Sequence, residues 1–132
     1  MRCPRSAAVL LLLLVACAET TRAEPPISRT ALFSLSEALA YSMGKSYQMG
    51  KNCGLEMKGT APPRAAGLFI NYFTESEVQK IMDNYGAAMG SQFGKACDKK
   101  ELSASHNVLI EKTANYVKLA TPHTRPHSGV ER

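Results

Sequence analysis

Cysteine is the residue with the most distinctive chemistry in this sequence, and four cysteines occur in 132 residues. Two of them, Cys3 and Cys17, fall in an N-terminal segment that we expect to be cleaved off or lipidated. Cys53 and Cys97 then remain as a pair, which is expected to bond in an oxidising compartment. Redox-active pairs usually sit two residues apart, unlike these. We therefore predict a structural Cys53–Cys97 disulfide.

The three histidines are candidate catalytic or metal-binding residues. His106 falls on the apolar side of a predicted helix, where a single histidine is usually a partly buried, hydrogen-bonded packing residue. His123 and His127 have a spacing that metal sites use, but a proline lies between them and no Cys or carboxylate pair is near. We therefore predict no metal site at these histidines.

Methionine is frequent for a small domain, and clustered thioethers bind Cu(I) in exported proteins. Met82 and Met89 share an apolar stripe with Tyr85, so they are better interpreted as core residues that fill irregular gaps. Met49 and Met57 lie off the clearest stripes and stay open as ligands. A periplasmic copper-binding protein that uses Met and His is therefore one alternative function.

No catalytic constellation is recognisable in the sequence. Both cysteines of the mature chain are committed to a disulfide, and no serine lies in a recognisable nucleophile elbow. Glu75 and Glu77 are explained by the start of a helix, where the helix dipole favours negative charge. No Cys-x-x-Cys-His haem motif occurs. We expect a protein that is not an enzyme and that carries no cofactor.

The N-terminus has the pattern of a secretory signal peptide. Arg2 and Arg5 precede an unbroken apolar run, residues 7–16, that is too short to span a bilayer. Cleavage after residue 18 fits the small-residue rule, with a site near residue 23 as an alternative. Leu14 to Cys17 also resembles a bacterial lipobox, in which Cys17 would be lipidated and attach the protein to a membrane. We expect a periplasmic or cell-envelope location.

The charge balance is mildly basic. Loss of Arg2 and Arg5 with the signal peptide lowers the formal net charge from +5 to about +3. This is too little to indicate nucleic-acid binding. Lysines do gather near the two bonded cysteines, and we interpret them as a solvated surface, with anionic lipid or glycan as the alternative partner; they are Lys45, Lys51, Lys58, Lys95, Lys99 and Lys100.

The strongest local signal is the start of a helix at Thr74. Thr74 and Glu77 form a capping box in sequence, and Phe73 and Val78 form a hydrophobic staple around it. Apolar residues then recur at three- and four-residue steps up to Cys97. Similar stripes predict three more helices, and no segment alternates with period two for long enough to form a strand.

These patterns predict an all-α fold, a small four-helix domain stapled by one disulfide after a signal peptide. Gly44 and Gly50 interrupt the first helix, which favours the close approach of another helix there. The predicted organisation is a signal peptide (1–18), a tether (19–27), one helical domain (28–120) and a flexible tail (121–132), with helices over 29–51, 63–73, 75–97 and 102–120. The first, third and fourth helices pack as a bundle and the second plugs one end.

The short second helix is the predicted binding element. It is apolar nearly all round, which indicates either burial in the core, the interpretation we favour, or a hydrophobic face for a partner. We expect a non-enzymatic protein that binds a protein or an apolar ligand; its partner and oligomeric state are not indicated by the sequence. If this segment forms a binding groove, the residues involved are Leu68, Phe69, Tyr72 and Phe73.

The cysteine spacing, with a helix between Cys53 and Cys97 and Ala96-Cys97-Asp98-Lys99-Lys100 leading into the last helix, resembles small bacterial periplasmic helical proteins, among them the acid-stress chaperones. This resemblance implies a chaperone that exposes an apolar surface at low pH and suppresses the aggregation of client proteins. The chain lacks an aromatic residue beside Cys53, so no client-binding residue is transferred by the resemblance.

Overall fold

The computed structural model describes residues 26–126, which form four α-helices, two short 3₁₀ helices and one disulfide. The all-α prediction and the Cys53–Cys97 bond are confirmed. The predicted signal peptide and the lipidation of Cys17 lie outside the described residues. The helices are α1 (Arg29–Asn52), α2 (Pro62–Phe69), α3 (Glu75–Gln92) and α4 (Lys99–Ala120), and the 3₁₀ helices cover Lys58–Thr60 and Thr121–His123.

Helix α1 is the central element of the domain. The Ser28 hydroxyl caps its start by accepting a hydrogen bond from the Ala31 amide at 3.0 Å. Its buried side chains, among them Leu32, Leu39 and Met43, face the other helices. Both α3 and α4 pack along α1, whereas α3 and α4 barely touch each other within the described part of the chain.

Helix α3 runs parallel to α1. At its start the predicted capping box is present: the Thr74 amide donates to Glu77 Oε2 at 2.8 Å, and the Glu77 amide donates to Thr74 Oγ1 at 3.3 Å. Arg29 of α1 binds the same Glu77 oxygen at 2.8 Å, and these contacts, led by the Thr74 backbone, lower the pKa of Glu77. At the other end, Asn52 donates to the Gln92 carbonyl at 2.8 Å.

Three helix boundaries differ from the prediction by three or more residues. Helix α2 ends at Phe69, not at residue 73, and the next residues form a turn in which the Tyr72 amide donates to the Phe69 carbonyl at 3.0 Å. Helix α3 ends at Gln92, not at Cys97, because Phe93 leaves the helical conformation and Gly94 takes a φ of 76°, the left-handed conformation that ends many helices. Helix α4 begins at Lys99, earlier than predicted, because the Asp98 carboxylate caps it by accepting from the Glu101 amide at 2.9 Å. The five residues between Gln92 and Asp98 thereby carry Cys97 to Cys53.

Helix α4 runs antiparallel to α1 and is attached by a narrow stripe. Its buried residues recur at seven-residue steps and at one further turn; they are Leu102, Leu109, Tyr116 and Ala120. At one end of the α1–α4 pair, Lys45 Nζ and Glu101 Oε1 form an ion pair at 3.7 Å. Neighbouring apolar residues of α4 stay exposed, so this helix is only partly covered by the domain.

Helix α2 and the residues after it fill the space between α3 and α4 at the N-terminal end of α1. Phe69 and Phe73 are fully buried. The ring of Phe69 contacts Tyr116 of α4 edge-on, with centroids 5.7 Å apart, and Phe73 contacts Phe33 of α1 in the same way at 5.6 Å. The second helix thus plugs one end of the bundle, as predicted.

The chain after α4 stays against this plugged end as far as it is described. His123 lies 2.8 Å from the Ile27 carbonyl, and Arg125 donates from Nη1 to the Phe73 carbonyl at 2.9 Å. The Arg125 amide also donates to the Asn71 carbonyl at 2.9 Å. Residues 121–126, which we expected to belong to the flexible tail, therefore make specific contacts with the domain. His127 lies outside the described residues.

Removal of one buried hydroxyl, in Tyr116→Phe, is expected to destabilise the domain by about 1 kcal/mol. The Ser36 hydroxyl donates to the Leu32 carbonyl at 2.8 Å, so the Tyr116 hydroxyl, 2.7 Å away, must be the donor to Ser36. Urea denaturation measures the loss. Tyr41→Phe is the control, because Tyr41 is exposed, and an equal loss in both variants would contradict the role of the buried bond.

The same tyrosine makes stability depend on alkaline pH. Burial raises the pKa of Tyr116 to about 12 from its ordinary value of 10.0. Above the ordinary value, the unfolded chain releases a proton that the folded chain keeps, so the free energy of unfolding falls as pH rises toward 12. Tyr116→Phe should reduce this fall. Some of it should remain, because burial also raises the pKa of Tyr85.

Candidate functional site

An apolar groove lies beside α4 where no other helix covers it. Helices α3 and α4 pack on different sides of α1, and α2 fills the space between them only at one end. Along the remainder of α4 the opposite wall is the loop of residues 56–60. We call the space between this loop and α4 the α4 groove; its volume is about 680 Å³.

The walls of the α4 groove are mostly hydrocarbon and thioether groups. Met43 of α1 belongs to its lining, together with Met57 from the loop and four residues of α4, which are Leu109, Ile110, Ala114 and Val117. Thr60, His106 and Thr113 add polar groups, and Glu56 and Lys58 add a pair of opposite charges on the loop side. A groove of this size and composition is typical of sites that bind small apolar molecules.

The loop wall is held to the domain by two specific contacts. Tyr85 of α3 donates its buried hydroxyl to the Thr60 carbonyl. The thioether of Met57 packs on α1 at Gly50, where a Cβ atom would overlap it. Because these contacts fix the loop at both ends, the groove is formed before any ligand arrives, which reduces the entropy lost on binding.

A second groove continues from the first beneath α2. Met43, Gly59 and Thr113 line both spaces, and the second, of about 540 Å³, extends to Arg64 and Leu68. The combined space is therefore elongated, with α4 along one side. Arg64 forms no ion pair within residues 26–126. Its guanidinium group therefore places a positive charge at the end of the second groove that is farther from the α4 groove.

The four residues of the predicted binding segment separate into two groups. Phe69, Tyr72 and Phe73 are core residues, so the burial that we favoured from the sequence is confirmed for them. Leu68 is only partly buried and lines the second groove. Of the predicted segment, the structure thus brings Leu68 to the candidate site.

Most residues of the α4 groove were not predicted as site residues. His106, expected to be a partly buried packing residue, is exposed and lies on the groove wall. Val117 and Ile110 fall on or beside the apolar stripe of α4 in sequence, yet both remain exposed. The strict seven-residue spacing of Leu102, Leu109 and Tyr116 was a usable signal, because it predicts a narrow buried stripe with uncovered flanks.

The positions of the methionines and histidines do not test the prediction that the protein binds copper. Met49 is buried away from the α4 groove, and Met43, Met57 and His106 belong to the lining of that groove. Among residues 26–126 no three His, Cys, Asp or Glu side chains come together as a metal site would require. Copper binding through Met and His stays a prediction.

Within the described residues, no helix is long and apolar enough to cross a membrane. No family model matches the chain, and no curated protein and no solved structure resembles it closely enough to assign a relative.

Proposed function

We propose that the protein is a non-enzymatic binding protein that holds an apolar molecule, or an apolar segment of another protein, in the α4 groove. The observation that carries this proposal is the groove itself, in which Met43, Met57 and Ile110 surround an open space of about 680 Å³. Apolar surface left uncovered in a folded domain is unfavourable in water, and a ligand that covers it gains the hydrophobic free energy.

The proposed location is the periplasm or the cell envelope. The disulfide supports it, because disulfides persist in oxidising compartments outside the cytoplasm. The basic n-region and the apolar run of residues 7–16 support it from the sequence. An exported carrier would meet apolar molecules that have left a membrane.

The neutral fluorophore N-phenyl-1-naphthylamine tests the groove, because its emission rises in an apolar site. We expect the parent protein to bind it and Ile110→Glu to weaken binding by about tenfold or more, since a carboxylate in an apolar site must be desolvated. Ile110 lines the groove and is 57% exposed, so the substitution leaves the core intact.

Val108→Glu is the matched control. Val108 lies two residues away on the same helix with a similar exposure of 50%, and it lines the opposite flank of α4. Its substitution should leave the affinity within about twofold of the parent value. An equal loss in both variants, or no loss in Ile110→Glu, would contradict binding in the α4 groove. Both variants carry the full chain, so any dye bound by residues 7–16 is common to them.

A further inference from the structure

The disulfide end of the domain combines clustered lysines with exposed apolar side chains. We propose that this end docks on membranes that contain anionic phospholipid. We call it the disulfide tip and define it as residues 51–58 and 93–100. The tip shares residues 56–58 with the loop wall of the α4 groove. The side chains that we assign to docking do not line that groove, so the interaction would hold whether or not the groove has a ligand; they are Leu55, Phe93, Lys51, Lys95, Lys99 and Lys100.

The disulfide tip is one connected surface because a disulfide and hydrogen bonds join its two segments. The Cα atoms of Cys53 and Cys97 are 4.7 Å apart. Asn52 donates to the Gln92 carbonyl at 2.8 Å, and the same carbonyl accepts from the Lys95 amide at 3.2 Å. Residues two positions from either cysteine therefore lie within about 8 Å of it along the chain.

The positive charge of the domain is concentrated at this tip. Its sequence has five lysines and two carboxylates, a net charge of +3, whereas all of residues 26–126 carry twelve Lys and Arg against eight Asp and Glu, a net charge of +4. Glu56 is already 3.5 Å from Lys58, and one Asp98 oxygen accepts the Glu101 amide. In the described part of the chain, four tip lysines have no ion-pair partner; these are Lys51, Lys95, Lys99 and Lys100.

Two large apolar side chains of the tip are exposed to solvent. Phe93, at the end of α3, is 78% exposed, and Leu55, two residues after Cys53, is 49% exposed. Gly94, with its φ of 76°, turns the chain immediately after Phe93 and holds it at the tip. Exposure of a phenylalanine at this level costs free energy in water, so a partner that buries it is favoured.

An anionic bilayer surface satisfies both features at once. Lysines near such a surface are attracted to phosphate headgroups, and aromatic and aliphatic side chains enter the boundary between headgroups and acyl chains. A soluble polyanion such as a sulfated glycan would use the lysines but leave Phe93 in water. The combination therefore favours a membrane over a glycan.

Vesicle flotation tests the proposal with the full chain and vesicles of phosphatidylcholine, with or without phosphatidylglycerol. We expect the parent protein to bind the anionic vesicles more tightly, and salt to weaken this binding. Lys99→Glu/Lys100→Glu should lower the affinity for anionic vesicles by at least about thirtyfold, because each lysine lost costs about fivefold and the anionic headgroups repel each added glutamate. Glutamate is favourable at the start of a helix, so this variant should fold. Phe93→Ala should lower the affinity by about tenfold.

Matched variants separate docking at the tip from general effects. Lys112→Glu/Lys118→Glu changes the net charge equally but lies on α4 away from the tip, and Ile70→Ala removes an exposed apolar side chain, 58% exposed, at the opposite end of α1. Both should bind vesicles like the parent. Because every protein keeps residues 7–16, only differences between variants count.

Three results would overturn the proposal. The first is binding that does not depend on phosphatidylglycerol. The second is an equal loss in the tip and control lysine variants, which would indicate attraction by net charge alone. The third is unchanged affinity in Phe93→Ala together with comparable binding to heparin, which would indicate a polyanion site.

Discussion

Replacement of both bonded cysteines, in a Cys53→Ala/Cys97→Ala variant, is expected to lower the free energy of unfolding by about 4 kcal/mol. The bond joins residues separated by 44 positions, and cross-linking a loop of that length removes much of the conformational freedom of the unfolded chain. Lost packing adds little, because Cys97 is exposed and Cys53 is half-buried. A small domain has only about 5 to 15 kcal/mol in total, so the variant should be marginally stable.

Urea denaturation followed by circular dichroism measures this loss as a lower midpoint. Reference and variant should both carry Cys3→Ser and Cys17→Ser, so that no other thiol can form a mixed disulfide. Reduction of the reference protein with dithiothreitol is the control, since it breaks the bond without changing a side chain, and it should give nearly the same loss. A shift below about 1 kcal/mol would mean that the unfolded chain is already compact around these cysteines.

The parts of the fold that depend on neighbours in sequence were predicted well. The capping box of Thr74 and Glu77 is a local arrangement, and it begins α3 as expected. The all-helical fold follows from periodicity, and the Cys53–Cys97 bond from elimination among four cysteines. The helices could be predicted because they depend on residues close in sequence. The disulfide could be predicted because only one pair of cysteines remained.

Two of the three missed helix boundaries, the end of α3 and the start of α4, also had local signals, but weaker ones. Periodicity continued through Phe93 and Cys97, and it outweighed Gly94, whose left-handed conformation ends α3. We placed Asp98 in the segment that leads into the last helix, although aspartate three residues before Glu101 is a common cap. These boundaries matter for the proposed membrane docking, because they create the segment that carries Phe93 and its neighbouring lysines.

The α4 groove could not be predicted in detail, because it depends on contacts that do not form. Sequence patterns assign apolar stripes to helices, but they do not show that α3 and α4 pack on α1 with almost no contact between them in the described part of the chain. Ile110 and Val117 therefore resembled core residues in sequence. Phe69 and Phe73, for which we favoured burial, could not be distinguished by periodicity from residues of a binding surface. The depth of each side chain is a tertiary property that periodicity alone does not determine.

Gly44→Ala is expected to destabilise the domain by about 3 kcal/mol, because α1 and α3 pack closely at Gly44. A Cβ atom at Gly44 would overlap the carbonyl oxygen of Tyr85 and lie 2.9 Å from its carbonyl carbon. These atoms belong to the backbone of α3, so the helix itself would have to move away from α1. The cost exceeds the gain of about 1 kcal/mol that alanine brings to a helix interior.

Gly86→Ala is the matched control, and the pair separates helix propensity from close packing. Gly86 also lies within a helix, but nothing comes within 4 Å of the position that its Cβ atom would take. Alanine there should therefore stabilise the domain by about 0.5 to 1 kcal/mol. Opposite signs in urea denaturation would show that α1 and α3 need a glycine at their crossing. Stabilisation by both substitutions would contradict the close approach at Gly44, and with it the reason that the first helix contains a glycine midway along its buried face.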